Sequence, residues 1–244
     1  MNTIFLGNYW QSNWKKKEPI EWIILKEDDE KMYVISRYCL DRVPYSDGRQ
    51  IAWKNSFMRK WLNDYFLNAA FSEEEQKKII LAKIKTSNTQ GLDKGTSTQD
   101  KIFLPSKWEA LFYFGYRGLY DIVLNQKRIA RPTQYAWSKD CWLGRLEYGS
   151  LKDSLLKDCL SRDSKLTNGA INPDIFLWQD NCKKCDQLGT DTSKQRFATC
   201  WYLRSSGNQS MYIYTDGSYR LNIKDEAVGI NNYVAVRPAM WVKK

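Results

Sequence analysis

Two groups of residues in this chain have types and spacing suited to chemistry. The first is a set of thiols. Cys182-Lys183-Lys184-Cys185 is a CxxC, half of a tetrahedral zinc site. Cys159 and Cys200, or Cys141, would complete four thiolates, at irregular spacing. The same CxxC could instead close as a disulfide or redox pair, and the flanking Lys183 and Lys184 favour thiolate in either case. Unpaired thiols are the plain alternative. The second group lies in CWYLRSSGNQSMYIYTDGSYR, Cys200 to Arg220. Tyr gives rigid amphipathic contact area, Arg a planar donor fork and Asn adaptable hydrogen bonds.

The faces of that second stretch follow from its register. Asp216-Gly217 marks a hairpin turn. A two-residue loop would mix apolar and polar residues on both faces. A three-residue loop, Asp216 to Ser218, pairs Ile213 with Leu221 and Met211 with Ile223. Tyr212 then faces Asn222, and Tyr214 faces Arg220. One face is apolar and the other carries Tyr, Tyr, Arg and Asn, and register follows the buried face. Tyr212, Tyr214, Arg220 and Asn222 are therefore the expected ligand contacts, with Tyr202, Asn208 and Tyr219 as further candidates. A solvated face of stabilising cross-strand pairs is the alternative.

Composition excludes much else. The chain has 244 residues and no histidine. That removes Ser-His-Asp and Cys-His triads, His-ligated zinc and an imidazole base. Glu73, Glu74 and Glu75 sit at a helix start, where the macrodipole favours them, and are not expected to be catalytic. Arg204 and Arg237 fall inside β segments. A buried Arg needs partners, so both are expected to tie loops together, with bidentate ligand contact as the alternative. Trp201 and Trp241 are expected core rings. The net charge is +10. Lys15, Lys16 and Lys17 follow Trp14, and Lys77 and Lys78 lie on a helix, but these are short clusters rather than a stripe. Nucleic acid is thus not the expected partner. No apolar leader opens the sequence and no run could span a bilayer. Reduced cysteines in the cytoplasm are the default, which surface display or export would undo.

These groups need a scaffold. Thr3 to Trp10, Ile20 to Leu25 and Met32 to Ile35 read as strands, the last two joined by the charged turn Glu27 to Lys31. Phe57, Trp61, Leu62, Tyr65 and Phe66 recur at helical spacing behind a cap at Asn55 or Ser56. Ser72 with Glu75, and Ser106 with Glu109, are capping boxes. Ile79 to Thr86 is β-like, Ser87 to Gln99 reads as a loop, and Lys101 to Leu104 as a strand. Residues 115–195 are irregular, with a helical stretch at Leu151 to Leu160. Four strands close the chain, at Thr199 to Leu203, Met211 to Thr215, Tyr219 to Ile223 and Tyr233 to Val236. Helices between β elements at both ends predict one α+β domain over 1–244.

The C-terminal words Cys200-Trp201-Tyr202-Leu203-Arg204-Ser205-Ser206-Gly207, Asp216-Gly217 and Val236-Arg237-Pro238-Ala239-Met240-Trp241 resemble the order WWLRSxG…DG…VRPALW. That order marks a bacterial family of domains of unknown function. Pro19-Ile20-Glu21-Trp22, Arg59-Lys60-Trp61-Leu62-Asn63 and Asp100-Lys101-Ile102-Phe103-Leu104 agree with it in sequence order. The resemblance implies a C-type-lectin-like fold, shared with formylglycine-generating enzymes and with the variable proteins of diversity-generating retroelements. The latter display a ligand surface on their last strands. A lectin calcium site is not expected. Asn172-Pro173-Asp174 is only a near match to the calcium triplet, and Trp61-Leu62-Asn63-Asp64 interrupts and misplaces the WND word. A formylglycine-type oxidase using Cys182, Cys185 or Cys200 lacks the close C-terminal pair such enzymes need. The expectation is a non-enzymatic recognition or display domain for protein or glycan, with no cofactor beyond a zinc at Cys182 and Cys185. The oxidase and a basic nucleic-acid binder are the alternatives.

Overall fold

The N-terminal strands form because apolar residues alternate through them and a charged turn separates the second from the third. β1 (Thr3–Trp10), β2 (Lys17–Glu27) and β3 (Lys31–Ser36) make an antiparallel meander. Asp28 fixes the β2–β3 turn, its Oδ1 accepting from the backbone N–H groups of Glu30 and Lys31 at 3.1 and 3.0 Å. Gly7 sits at a register shift in β1 with φ of 70°, and the Trp22 indole donates to Leu6 O at 2.8 Å. The computed structural model describes residues 2–45, 52–86, 96–114, 126–138, 199–206, 210–213, 219–221 and 234–244.

The helical layer follows its caps. Ser56 accepts from Arg59 N–H and opens α1 (Phe57–Trp61), which runs through a π turn (Leu62–Phe66) into α2 (Leu67–Ala70). Asn63 in that turn grips the sheet. Its amide donates to Ile102 O at 2.8 Å, and its Oδ1 accepts from the N–H groups of Lys101 and Ile102 at 2.8 and 3.2 Å. The interrupted WND word therefore serves as a helix-to-strand tie. Both capping boxes form, opening α3 (Glu73–Lys78) and, further on, α4 (Lys107–Tyr113).

The stretch expected as a loop is partly a strand. β4 (Ala82–Thr86) pairs with β5 (Thr96–Asp100), so residues 96–99 are extended. Their polar side chains hid the pattern: Thr98 and Asp100 alternate inward because Asp100 accepts from the Trp53 indole, Arg59 Nε and the Thr98 hydroxyl at 2.9, 2.6 and 2.6 Å. β6 (Ile102–Phe103) follows. A 3-10 turn (Gln126–Arg128) and α5 (Gln134–Ser138) lie further on. The helical expectation for Leu151 to Leu160 lies outside the described residues.

The C-terminal strands are β7 (Cys200–Ser206), β8 (Ser210–Ile213), β9 (Tyr219–Leu221), β10 (Val234–Ala235) and β11 (Ala239–Lys243). β11 was not expected as a strand. It enters the N-terminal sheet, giving the order β1-β2-β3-β11-β6, while the others form β10-β7-β8-β9. The architecture is mixed α+β with antiparallel strands at both ends. One cluster of buried side chains, including Trp22, Trp53, Trp61, Trp201 and Met240, runs through both sheets. Trp201 is fully buried, whereas Trp241 is only partly so. Among the described residues no helix is long and apolar enough to cross a membrane.

Candidate functional site

The candidate surface is built on β7, whose two faces are both internal from Cys200 to Arg204. Trp201, Tyr202 and Leu203 have no exposed surface and Arg204 is 3% exposed. Tyr202 packs its ring 5.7 Å from that of Tyr45, which stands 6.3 Å from Trp53. The Tyr45 hydroxyl donates to Arg204 O at 3.3 Å. Tyr202, expected as a further ligand contact, is thus a packed support for this sheet.

The hairpin register differs from the one expected. Met211 pairs with Leu221, Tyr212 with Arg220 and Ile213 with Tyr219. Each partner on the second strand is two residues earlier than in the three-residue-loop pairing. A slip of two keeps every residue on its face, so the apolar pattern that argued the register cannot tell the two apart. The β7 register extends the rows. Trp201, Ile213 and Tyr219 lie in one row, and Tyr202, Tyr212 and Arg220 in the next. Tyr212 and Arg220 therefore share a face, as expected, but as direct partners. Tyr219 shares the row of buried Trp201 and Ile213. Tyr214, Asn208 and Asn222 lie outside the described residues, as do Cys182 and Cys185.

Buried arginines hold the base of this sheet. Arg204 Nη1 donates to Leu104 O at 2.8 Å and to Glu109 Oε2 at 2.5 Å, and Nη2 reaches Lys85 O at 3.4 Å. The second capping box thereby aims Glu109 at a buried cation. Arg237 is 2% exposed. It donates from Nε to Ser36 O at 3.0 Å and lies 5.1 Å from the Trp201 ring and 5.3 Å from the Phe114 ring. Burial lowers its pKa to about 10, with Cys39 opposing that and Arg37 adding to it. Both forks tie segments together, the structural role expected of them.

Nearby, Tyr9 donates to Asp41 Oδ2 at 2.6 Å, and both residues are fully buried. Burial foremost, then the Asp41 charge, holds the Tyr9 phenol well above its ordinary range. Arg42 Nη2 reaches Thr199 Oγ1 at 3.4 Å, and the Trp201 indole donates to Arg128 O at 3.0 Å. Sequence reasoning missed Asp41, Arg42, Arg128 and Asp100. For Asp41, Arg42 and Arg128 the signal is a charged residue close to an apolar one, which is common on surfaces too, and Asp100, between Gln99 and Lys101, carries no such signal. Cys39 and Cys200 are buried and carry no disulfide. Burial pushes the Cys39 thiol up to about 12, against the pull of Arg237 and Arg42. Such a thiol is protonated at neutral pH and is no nucleophile. Among the described residues no cluster of three or more Cys, Asp or Glu side chains is placed to hold a metal.

The model of a domain family of unknown function, DUF6273, matches residues 29–244. The chain belongs to that family. No curated protein and no solved structure matches it. The DUF6273 match begins in the β2–β3 turn. β1 and β2 thus lie outside it although they complete the same sheet. Within it fall β3, β11, Arg204 and Arg237, and the Tyr212–Arg220 pair on the second sheet.

Proposed function

We propose that this DUF6273 chain is a non-enzymatic recognition domain with a C-type-lectin-like fold, binding protein or glycan through its C-terminal sheet. The observation that carries the reading is the cross-strand pairing of Tyr212 with Arg220 beside a strand locked on both faces. β7 is immobilised by Tyr45, Trp201 packing and the Arg204 fork. β8 and β9 extend from it to the sheet edge. A rigid inner strand with Tyr and Arg on the outer ones suits recognition, because contact residues are most effective when little ordering remains to be done on binding. Tyr212 and Arg220 are the central contacts, joined by Tyr214 and Asn222, with Asn208 and Tyr219 at the margins. Variation of these positions on a fixed β7 is what a retroelement-diversified display protein would use.

Binding of the purified protein to a mixed glycan and protein array tests this, beside the variant Tyr212→Ala, Tyr214→Ala, Arg220→Ala checked for folding by circular dichroism. A selective signal lost in the variant supports the reading. A signal that the variant retains removes this surface from the function.

A further inference from the structure

The N-terminal sheet runs β1-β2-β3-β11-β6, so β1 and β6 are its edge strands. β6 has 2 residues and β1 has 8. An edge strand presents a row of N–H and C=O groups that another extended chain can match, and short length, charge and Pro are the usual guards. Ile24 N–H donates to Asn2 O at 2.9 Å, and Ile4 pairs with Trp22. By antiparallel alternation, Asn2 and Ile4 direct their backbone groups at β2, while Thr3 and Phe5 direct theirs away from it. Among the described residues nothing hydrogen-bonds to those outward groups of Thr3 and Phe5.

Further along, the chain closes the edge itself. Gly7 N–H donates to Glu75 Oε1 at 2.9 Å, and Tyr135 N–H donates to Gln11 O at 2.9 Å. The open part, Asn2-Thr3-Ile4-Phe5-Leu6, contains no charged residue and no Pro. Phe5 is 66% exposed, and Ile4 and Leu6 are half-buried. Glu21, opposite Phe5 on β2, is held by Arg37 at 2.6 Å. In a chain of net charge +10, this is a line along which two copies meet with no like charges opposed.

We infer that β1 pairs antiparallel with β1 of a second copy across a two-fold axis at Ile4, joining two 5-stranded sheets into one. In this register Thr3 of each copy lies opposite Phe5 of the other, and each such pair exchanges both its N–H and its C=O. It is the register that uses Thr3 and Phe5 of both copies together. One centred on Phe5 would spend a pair on Gly7, whose N–H Glu75 already holds. Ile4 meets Ile4 at the axis on one face, and on the other the two Phe5 rings become diagonal neighbours, within reach of aromatic side chains. An edge that pairs with itself in this way is self-complementary, as a two-fold interface requires. β1 and the Tyr212–Arg220 pair belong to different sheets, so the two proposals stand or fall independently.

Sedimentation velocity of the full chain from about 1 to about 200 μM tests this, because a single strand edge leaves only a small surplus over the cost of association. A concentration-dependent dimer is expected. Phe5→Pro removes an N–H that has no partner within the monomer and leaves the β1–β2 ladder its own donors. Phe5→Lys keeps every backbone group and places like charges beside the axis. Each should weaken dimerisation about tenfold or more, with the circular dichroism spectrum unchanged. Phe112→Ser, which removes a still more exposed ring on α4, should leave the dimer intact. Ile4→Cys should give a disulfide-linked dimer under mild oxidation, above the wild-type level, because directly opposed residues of a non-hydrogen-bonded pair lie about 4.5 Å apart at Cα. Leu6→Cys should not. A monomer at every concentration, a dimer that both Phe5 variants retain, or cross-linking through Leu6→Cys rather than Ile4→Cys would overturn the inference.

Discussion

The Arg237 guanidinium lies 5.1 Å from the Trp201 ring. This contact joins the two sheets, because Arg237 precedes β11 of the first and Trp201 belongs to β7 of the second. Phe114 covers the cation from 5.3 Å, and the carbonyls of Ser36 and Arg37 accept from its Nε and Nη2 at 3.0 and 3.5 Å. A buried cation is thus held by ring faces and carbonyls.

Arg237→Lys should not preserve this arrangement, since a compact ammonium cannot present a flat fork between rings. Arg237→Lys and Arg237→Met should each cost about 2–4 kcal/mol, from unsatisfied carbonyls and lost ring contacts. Urea unfolding checks this. A midpoint within error of wild type for Arg237→Lys would contradict it.

Glu109→Gln should cost roughly 3 kcal/mol, because it leaves the Arg204 charge buried without a carboxylate. Glu74→Gln is the control. Its partner Lys77 lies on the surface, with the two side chains 80% and 69% exposed, and no measurable change is expected. Equal effects of the two would refute the ranking.

Cys39 predicts an alkaline loss of stability. Its folded pKa of about 12 lies above the unfolded value of about 8.5. Between these values the unfolded chain has released the proton and the folded chain has kept it. The contribution is therefore complete below about pH 8.5 and falls by about 1.4 kcal/mol per pH unit above it. Tyr9 and Tyr33, also raised by burial, add the same sign at higher pH. The stability gap between wild type and Cys39→Ala should narrow from pH 8 to pH 10.5 in urea titrations. A constant gap would show that the thiol does not titrate this way.

Gly7→Ala should destabilise by about 2–4 kcal/mol, combining a left-handed backbone with overpacking. A methyl there would meet Phe71 ring carbons at 2.6 Å and Ala70 O at 2.7 Å. Because the second contact is backbone, Phe71→Ala should not rescue it. Thermal unfolding of the single and double variants distinguishes these outcomes.

The caps and the meander were legible because their signals are local: Ser72 with Glu75, Ser106 with Glu109, and alternation through β2 and β3. β11 was not. The last expected strand ends at Val236, and the strand character of Ala239 to Lys243 comes from partners such as Tyr33 and Phe103 far away in sequence. β5 was hidden by Thr and Gln, whose extended state depends on β4 and on Asp100. In the hairpin, parity gave the faces of Tyr212 and Arg220, but a slip of two residues changes no face. The burial of Tyr202 depends on Tyr45, which no spacing within β7 reveals.

The placement of β11 between β3 and β6 also sets a schedule. At about 5–20 residues per second, the ribosome finishes β3 roughly 10–40 s before β11 is made. Throughout that wait β3 shows one bare edge, with Val34 and Ile35 beside it. The nascent first half of this protein is therefore an incomplete sheet, and its stickiest moment precedes the synthesis of the strand that closes it.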